Sequence, residues 1–444
     1  MTTSVVCAVR GPAETVVVQA LDLAPELTVT RRCADLAELL AAGAAGLGVV
    51  AVLSADLPGV DREAVHHLHG SGVWVLALAG GDWPTERLAR LGVDGVVPAQ
   101  EAAAAVVPAV GALLERAARG ARPGGAGSGA SGAGTVGTTG DRVSSGRTRD
   151  RAPDGATARP GGGGVSTAPA RPTGTVVAVW GPTGAPGRTT LAVALAAELA
   201  AAATDGALLV DADTYGGAVA PVLGLLDEAP GIAAACRAAA AGRLDPVSLA
   251  ALTPQLDSGL RVLTGIGRAE RWPEVPAASL EAVWATARRL AGWTVVDTGF
   301  CLERDEVLSY DTRAPHRNAA TLSALAEADV VVVVGTGDPI GLQRLVRALG
   351  DLTDAGVGAE RRVVVNRVRA SASGPRPAEA IRDALARYAG VGRVHVVPQD
   401  TAACDGALLA ARTLLEHAPA SPARRAVAEL ATVMITARAS LLGA

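Results

Sequence analysis

The sequence predicts an α/β protein in which two sheet-forming segments are separated by a flexible tract. In both segments, short Val-rich runs alternate with Ala- and Leu-rich runs of helical length, the order that produces doubly wound parallel sheets. Residues 119–173 between them are rich in Gly, Ala, Ser, Pro and Arg, and such a tract buries too little apolar surface to order itself. We therefore expect one domain over residues 1–118, a disordered linker over 119–173 and a second domain over 174–444.

Composition indicates a protein of the cytoplasm. The chain has 444 residues, 49% of them hydrophobic, and a formal net charge of −4, so it has no overall attraction to nucleic acid and direct DNA binding is not expected. Its five cysteines lack the C-x-x-C spacing of metal or redox motifs, which favours reduced thiols. No uninterrupted apolar run reaches the roughly 18 residues of a membrane-spanning helix, and no integral membrane segment is expected.

The first segment predicts a five-stranded flavodoxin-like domain. Its apolar runs lie at Val5–Val9, Leu27–Thr30, Gly48–Leu53, Val73–Leu78 and Gly95–Val97. The stretch over residues 49–61 resembles the phosphoacceptor loop of response-regulator receiver domains, D-x-x-[ML]-P-G-x-D. Ser54 stands at the acceptor position, Ala99 stands where receivers carry lysine, and the acidic pair that follows the first strand in receivers is missing. We interpret this segment as a pseudo-receiver domain used for docking.

A phosphate-binding loop is predicted where the second segment begins. An apolar strand runs into a glycine-bearing turn and then into an Ala-rich helix over residues 176–193. The N–H groups at a helix N-terminus attract anions, and Gly184 and Gly187 would let the backbone approach a phosphate closely. Thr189 stands where a hydroxyl ligates nucleotide-bound magnesium.

Arg188 stands where such loops carry lysine. All 40 Lys and Arg residues of the chain are arginine, so no lysine is present to take its place. Arginine keeps the charge, but its planar guanidinium is larger than an ammonium group. The strict pattern G-x-x-x-x-G-K-[ST] also fails at Pro182, and on the loop alone an ordinary strand-turn-helix connection stays open.

Polar residues end four further predicted strands. Asp211 and Asp213 follow one apolar run and Asp297 ends another, while Asn366 and Asp400 follow two later ones. Because ligands of open parallel sheets gather at the carboxyl ends of the strands, the acids are expected to converge on a metal and on phosphates held by the loop.

Together these motifs resemble the MinD/ParA family of P-loop ATPases with a deviant Walker A motif, over residues 174–441. The resemblance implies a SIMIBI-type P-loop NTPase fold with a mostly parallel sheet, binding ATP or ADP with Mg²⁺. Its implied nucleotide-binding residues are Gly184, Ala185, Pro186, Gly187, Arg188, Thr189, Thr190, Asn366, Pro398 and Asp400. Its implied magnesium ligands, direct or through water, are Thr189, Asp211 and Asp297. Arg188 and Asp213 are the implied catalytic residues, Asp213 by placing the hydrolytic water.

The chain departs from the family loop K-G-G-x-G-K-T-[ST] in both lysines. The signature lysine that reaches across a nucleotide-sandwich dimer is replaced by Thr183, and the lysine on the β- and γ-phosphates is replaced by Arg188. We expect nucleotide binding to survive and hydrolysis to be slow or absent.

A pseudo-receiver followed by a degenerate MinD/ParA ATPase resembles the CpaE/TadZ proteins. The resemblance implies a positioning protein that helps to localise or assemble a Flp (tad) pilus or secretion complex. Its implied partners are a second copy of itself and a pilus or secretion ATPase or membrane complex, which would recruit it to the membrane or the cell pole. Two alternatives stay open: an active ParA/MinD-type ATPase in chromosome partitioning or septum-site determination, and a nucleotide-free interaction scaffold.

Two further segments carry expectations. The stretch over residues 300–318 follows Asp297 and is long for the switch II loop of the family that the chain resembles, and we expect it to change shape with nucleotide or partner. The helix predicted over residues 423–442 has few cations on its polar face, so we expect it to pack against the sheet and not to bind a membrane.

Overall fold

The computed structural model describes residues 2–125, 174–185, 187–226, 229–304 and 315–442. Pro186 and most of the expected linker lie outside the described residues, as do residues 305–314 of the long stretch after Asp297. The described residues form two parallel sheets with helices on both faces, which confirms the predicted fold class.

The N-terminal region, residues 2–125, contains a five-stranded sheet. Its elements are β1 (Thr3–Ala8), α1 (Ala13–Asp22), β2 (Leu27–Arg32), α2 (Leu36–Ala44), β3 (Val50–Ser54), α3 (Arg62–Gly70), β4 (Trp74–Ala79), α4 (Thr85–Leu91), β5 (Gly95–Pro98) and α5 (Ala102–Ala118). The strand order is β2-β1-β3-β4-β5, and all pairs are parallel. This is the flavodoxin-like order. Helices α1 and α5 cover one face and α2, α3 and α4 cover the other.

The C-terminal region, residues 174–442, contains a seven-stranded sheet of order β12-β11-β10-β6-β9-β7-β8, with every pair of strands parallel. Its strands are β6 (Thr175–Trp180), β7 (Ala207–Ala212), β8 (Arg261–Leu263), β9 (Trp293–Thr298), β10 (Val330–Thr336), β11 (Glu360–Val368) and β12 (Val394–Pro398). Its helices are α6 (Arg188–Ala202), α7 (Val219–Val222), α8 (Gly231–Ala240), α9 (Pro246–Ala251), α10 (Ala277–Leu290), α11 (Ala319–Glu327), α12 (Pro339–Asp354), α13 (Ala370–Ser373), α14 (Pro377–Ala389), α15 (Thr401–Leu409), α16 (Leu414–His417) and α17 (Pro422–Leu442). Because β6 is central, the predicted phosphate loop lies at the middle of the carboxyl edge.

Helix α6 lies in the interior, between the sheet and α17. All nine of its residues over 191–199 are buried, as expected for a helix that is apolar on every side. One of them, Glu198, is paired with Arg424 of α17 through two hydrogen bonds of 2.6 and 2.7 Å. Helix α17 therefore packs on α6 and β12, as the sequence predicted.

The two regions meet through polar contacts that pair side chains of α3 and α4 with α8 and α10. Arg62 donates from Nε to the Ala278 carbonyl at 2.6 Å, and Arg87 donates from Nε to the Ala241 carbonyl at 3.1 Å. The next residue, Gly242, has φ +64°, and a Cβ there would lie 2.7 Å from the Arg87 carbonyl. Both regions belong to one compact unit.

Candidate functional site

The loop between β6 and α6 turns at two glycines with positive φ. Gly184 and Gly187 have φ of +75° and +91°, a region that side chains disfavour. The Ala185 N–H closes a turn on the Pro182 carbonyl at 3.0 Å. A Cβ on Gly187 would overlap Nδ2 of Asn366, so any other residue would have to displace that side chain as well as adopt the disfavoured φ. The N-terminus of α6 therefore opens directly onto the loop.

Arg188 points back into the loop. Its Nη1 donates to the Gly181 carbonyl at 2.9 Å, and its Nη2 lies 3.7 Å from Oδ2 of Asp213. Only 16% of the Arg188 side chain and 10% of the Asp213 side chain is exposed, so the pair is shielded from solvent. Asp213 also accepts from the Tyr215 and Gly216 N–H groups through Oδ1, at 2.9 and 3.3 Å.

Asp211 and Asp297 lie side by side. They are register partners on β7 and β9, and each is 1% exposed. Asp211 accepts backbone hydrogen bonds from Asp213 and Val219, at 3.2 and 3.1 Å. Burial, which outweighs these bonds, raises the pKa of Asp211 to about 6.

Asp297 is the one carboxylate in the described part of the chain that is buried with neither oxygen hydrogen-bonded. Burial raises its pKa well above the ordinary value, and the nearby charge of Asp211 adds to the shift. The Thr189 hydroxyl opposes the shift without reaching hydrogen-bond geometry to either oxygen. A buried, unpaired acid is costly unless a cation joins it.

The residues here fit magnesium that arrives with a nucleotide. Thr189 and Asp297 supply a hydroxyl and unengaged carboxylate oxygens, which are hard donors of the kind Mg²⁺ prefers. Asp211 fits a direct ligand less well, because both its oxygens already accept backbone N–H groups and Gly217 and Gly265 pack against it. Among the described residues, no group of three His, Cys, Asp or Glu side chains could hold a metal unaided.

A cavity of about 420 Å³ adjoins the start of α6. It brings together five residues that the sequence predicted for nucleotide binding: Gly187, Thr190, Asn366, Pro398 and Asp400. This volume lies in the range of small-molecule sites. Asp400 also caps α15 through the Ala403 N–H at 3.3 Å and accepts from the Ser421 hydroxyl at 2.6 Å.

Two groups at the site were missed by the sequence reasoning. The Tyr215 hydroxyl donates to Oδ1 of Asn318 at 2.8 Å, which joins the residues after Asp213 to the far end of the long stretch after Asp297. Arg344 of α12 reaches the loop from the other side and donates to the Thr183 carbonyl at 3.2 Å. Neither lies in a motif, and both contacts span more than 100 residues of sequence.

The residue at the expected phosphoacceptor position of the N-terminal region is buried. Ser54 is 7% exposed, and its hydroxyl accepts from the Arg10 N–H at 2.9 Å. The Arg10 guanidinium donates to the Asp56 carbonyl at 3.1 Å and lies 3.6 Å from the Asp56 carboxylate. Ser54 thus has a structural partner in place of a free hydroxyl.

No family model matches the chain, and no curated protein matches it. Among solved structures it is similar to a ParA family ATPase from Chlorobium tepidum TLS, with 18% identity over 58% of this chain and 98% of that one and a TM-score of 0.49. It is also similar to the cell division ATPase MinD of Pyrococcus furiosus, with 19% identity over 59% of this chain and 99% of that one and a TM-score of 0.47.

The septum site-determining protein MinD of Pyrococcus horikoshii OT3, solved with Mg-ADP, is a further similar structure. Its identity is 18% over 58% of this chain and 94% of that one, and its TM-score is 0.46. Identities below 20% and TM-scores below 0.5 assign no function to this chain. Among the described residues, no helix combines the length and apolar character needed to cross a membrane.

Proposed function

We propose that the protein is an ATP-binding positioning protein of the MinD/ParA type, with weak or absent ATPase activity. One observation carries the proposal. The start of α6 adjoins the unpaired carboxylate of Asp297 through Thr189, and it adjoins the 420 Å³ cavity through Gly187 and Thr190. A nucleotide combines a base, an anionic chain and a divalent cation, which are the three groups that such an arrangement accepts.

The cavity between Thr190, Asn366 and Pro398 would hold the base. The N–H groups at the start of α6 and the Arg188 guanidinium would bind the phosphates along the loop. Thr189 and Asp297 would hold the magnesium of a bound nucleotide, which would neutralise phosphate charge. Asp211 contributes its charge or a water-mediated contact, since its own oxygens are engaged.

The contacts of Asp213 support the proposal of slow hydrolysis. Its Oδ1 is held by two backbone N–H groups, and its Oδ2 faces Arg188. To orient an attacking water, Oδ2 would have to separate from Arg188, which at the same time must turn from the Gly181 carbonyl toward phosphate. Two rearrangements before each turnover favour binding over catalysis.

The cellular role that we propose is that of the CpaE/TadZ proteins: localising or helping to assemble a Flp pilus or secretion complex. Supporting this are the order of the two regions and the engagement of Ser54, which suits a pseudo-receiver used for docking. Nucleotide would control self-association and recruitment of a partner ATPase or membrane complex. We also propose that residues 119–173 tether two domains.

Titration of the full chain with ATP and ADP, with and without Mg²⁺, tests the nucleotide proposal. Saturable binding is expected, weakened by Arg188→Ala and made independent of Mg²⁺ by Asp297→Asn. Arg387→Ala, which removes an exposed arginine from α14, is the matched control and should change neither.

Two results would replace this function with an alternative. Absence of saturable binding at millimolar ATP would favour the nucleotide-free scaffold. Sustained Mg²⁺-dependent turnover that Asp213→Ala abolishes would favour an active partitioning or septum-site ATPase.

A further inference from the structure

A second guanidinium is fitted against the phosphate loop. Arg344 donates from Nη1 to the carbonyl of Thr183, and a Cβ on Gly184 would overlap the same nitrogen. Glycine at position 184 therefore has two effects: it allows the positive φ, and it leaves room for the guanidinium of Arg344. Arg344 belongs to α12, which follows β10 in the sequence and carries no nucleotide motif.

Arg344 lies at the end of the loop away from the base-sized cavity. The base-sized cavity is lined by Gly187 and Thr190, at the end of the loop nearest α6. A separate cavity of about 810 Å³ is lined by Pro182, Thr183 and Arg344, at the other end. A phosphate chain that starts from the first cavity and follows the loop therefore ends beside Arg344.

Acidic side chains surround Arg188, the first cation of the loop. Arg188 is already opposed by Asp213 at 3.7 Å, and the buried acids Asp211 and Asp297 add negative potential. The cavity beside Arg344 is lined by three acids, Glu303, Asp351 and Asp354. Even so, no described carboxylate lies within ion-pair distance of Arg344. Its hydrogen bond to a carbonyl leaves its charge uncompensated.

We propose that Arg344 binds the terminal phosphate of the nucleotide and so distinguishes a triphosphate from a diphosphate. This inference rests on the nucleotide-binding function proposed above and names a specificity residue for that site. The guanidinium keeps one N–H on the Thr183 carbonyl and directs its remaining donors to phosphate oxygens, the charge-assisted geometry that arginine forms best.

Titration calorimetry with Mg-ATP and Mg-ADP tests the proposal on the full chain. Arg344→Ala is expected to raise the Kd for ATP about tenfold and the Kd for ADP by less than about twofold, the size of one charged hydrogen bond. Arg387→Ala, the exposed control on α14, should alter neither value. Thermal melts of each variant without nucleotide check that it is folded.

Two conservative variants separate charge from loop support. Arg344→Gln keeps an N–H donor for the Thr183 carbonyl but has no charge, whereas Arg344→Lys keeps the charge. Partial recovery of the ATP preference by lysine and none by glutamine is expected. Recovery by glutamine would mean that Arg344 only braces the loop, and would overturn the proposal.

The two proposals fail differently. If wild-type protein binds ATP and Arg344→Ala binds ATP and ADP with unchanged or equally reduced affinity, the role of Arg344 is wrong and the nucleotide site stands. If wild-type protein binds neither nucleotide, the proposed function itself is wrong and the role of Arg344 falls with it.

Discussion

The carboxylate of Glu63 accepts two hydrogen bonds from Ser279, one from its backbone N–H and one from its hydroxyl, each at 3.0 Å. Glu63 lies in α3 of the N-terminal region and Ser279 in the first turn of α10 of the C-terminal region. An acidic side chain from one region therefore caps a helix of the other, where the helix dipole favours negative charge. Helix α10 packs on α11, the helix that follows the long stretch after Asp297.

Glu63→Ala is expected to lower the free energy of unfolding by about 1–2 kcal/mol, because Ser279 is fully buried and would lose its acceptor. Glu63→Gln keeps an acceptor oxygen and should recover most of the loss. Chemical denaturation of the three proteins gives the comparison. Equal stability of wild type and Glu63→Ala would mean that the cap contributes nothing.

The same residue predicts a pH dependence. Burial raises the pKa of Glu63, although its bonds to Ser279 lower it. With a folded-state pKa above the ordinary one, its contribution to stability is complete below the ordinary pKa and is lost as pH rises through the raised value. Melting temperatures between pH 4 and 8 should therefore fall more steeply for wild type than for Glu63→Gln, and parallel slopes would contradict this.

Gly242→Ala tests the packing between α4 and α8. Gly242 and Gly390 both have φ +64°, but a Cβ at 242 would press on the Arg87 carbonyl and Leu91, whereas one at 390 meets nothing within 4 Å. Alanine at either position has the same unfavourable backbone conformation. Gly242→Ala should be the less stable by about 1–3 kcal/mol, the usual cost of overpacking, in urea denaturation. Equal losses of stability in the two variants would show that the residues around position 242 move aside at no cost.

Asp297→Asn is expected to stabilise the nucleotide-free protein. Burial raises the pKa of Asp297, so its contribution to stability is lost as pH rises through that value, and asparagine removes the loss. A gain of about 1–2 kcal/mol is expected in thermal melts above the raised pKa, shrinking as pH falls through it, because no buried charge is left unpaired.

Asp211→Asn is the contrast to that variant. Both Asp211 oxygens accept hydrogen bonds from backbone N–H groups. In asparagine one of these oxygens is replaced by an amide nitrogen, a donor that would face a backbone N–H donor. It should therefore destabilise the protein despite the same loss of charge. A gain in both variants would show that charge alone governs these sites.

Arg424→Ala is expected to cost roughly 3 kcal/mol, because it leaves Glu198, only 6% exposed, as an unpaired charge between α6 and α17. Arg425→Ala removes the neighbouring arginine, whose described contact is an exposed bond to the Ala420 carbonyl, and should cost under about 0.5 kcal/mol. Denaturant midpoints measure both. A similar cost for the two would exclude a special role for the buried pair.

The sequence located the loop and the acids, because local patterns report local structure. An apolar strand, two glycines and an Ala-rich helix require only neighbouring residues to form, and Asp297 was placed at a strand end by the same reasoning. The sequence could not predict that Asp211 accepts hydrogen bonds from backbone N–H groups whereas Asp297 accepts none. The partners of Asp211 are the N–H groups of Asp213 and Val219, and the position of Val219 and the burial of both strand ends depend on the assembled sheet.

By itself, the sequence determined two doubly wound α/β regions, the strand-loop-helix of the candidate site and the replacement of lysine by arginine. The tertiary structure alone decided that Arg188 faces Asp213, that Arg344 reaches the Thr183 carbonyl and that Glu63 caps α10. The physical reason is distance along the chain. Periodicity and turn chemistry act over a few residues, whereas these contacts join residues 25 to 216 positions apart, and only packing of the sheets and helices brings them together.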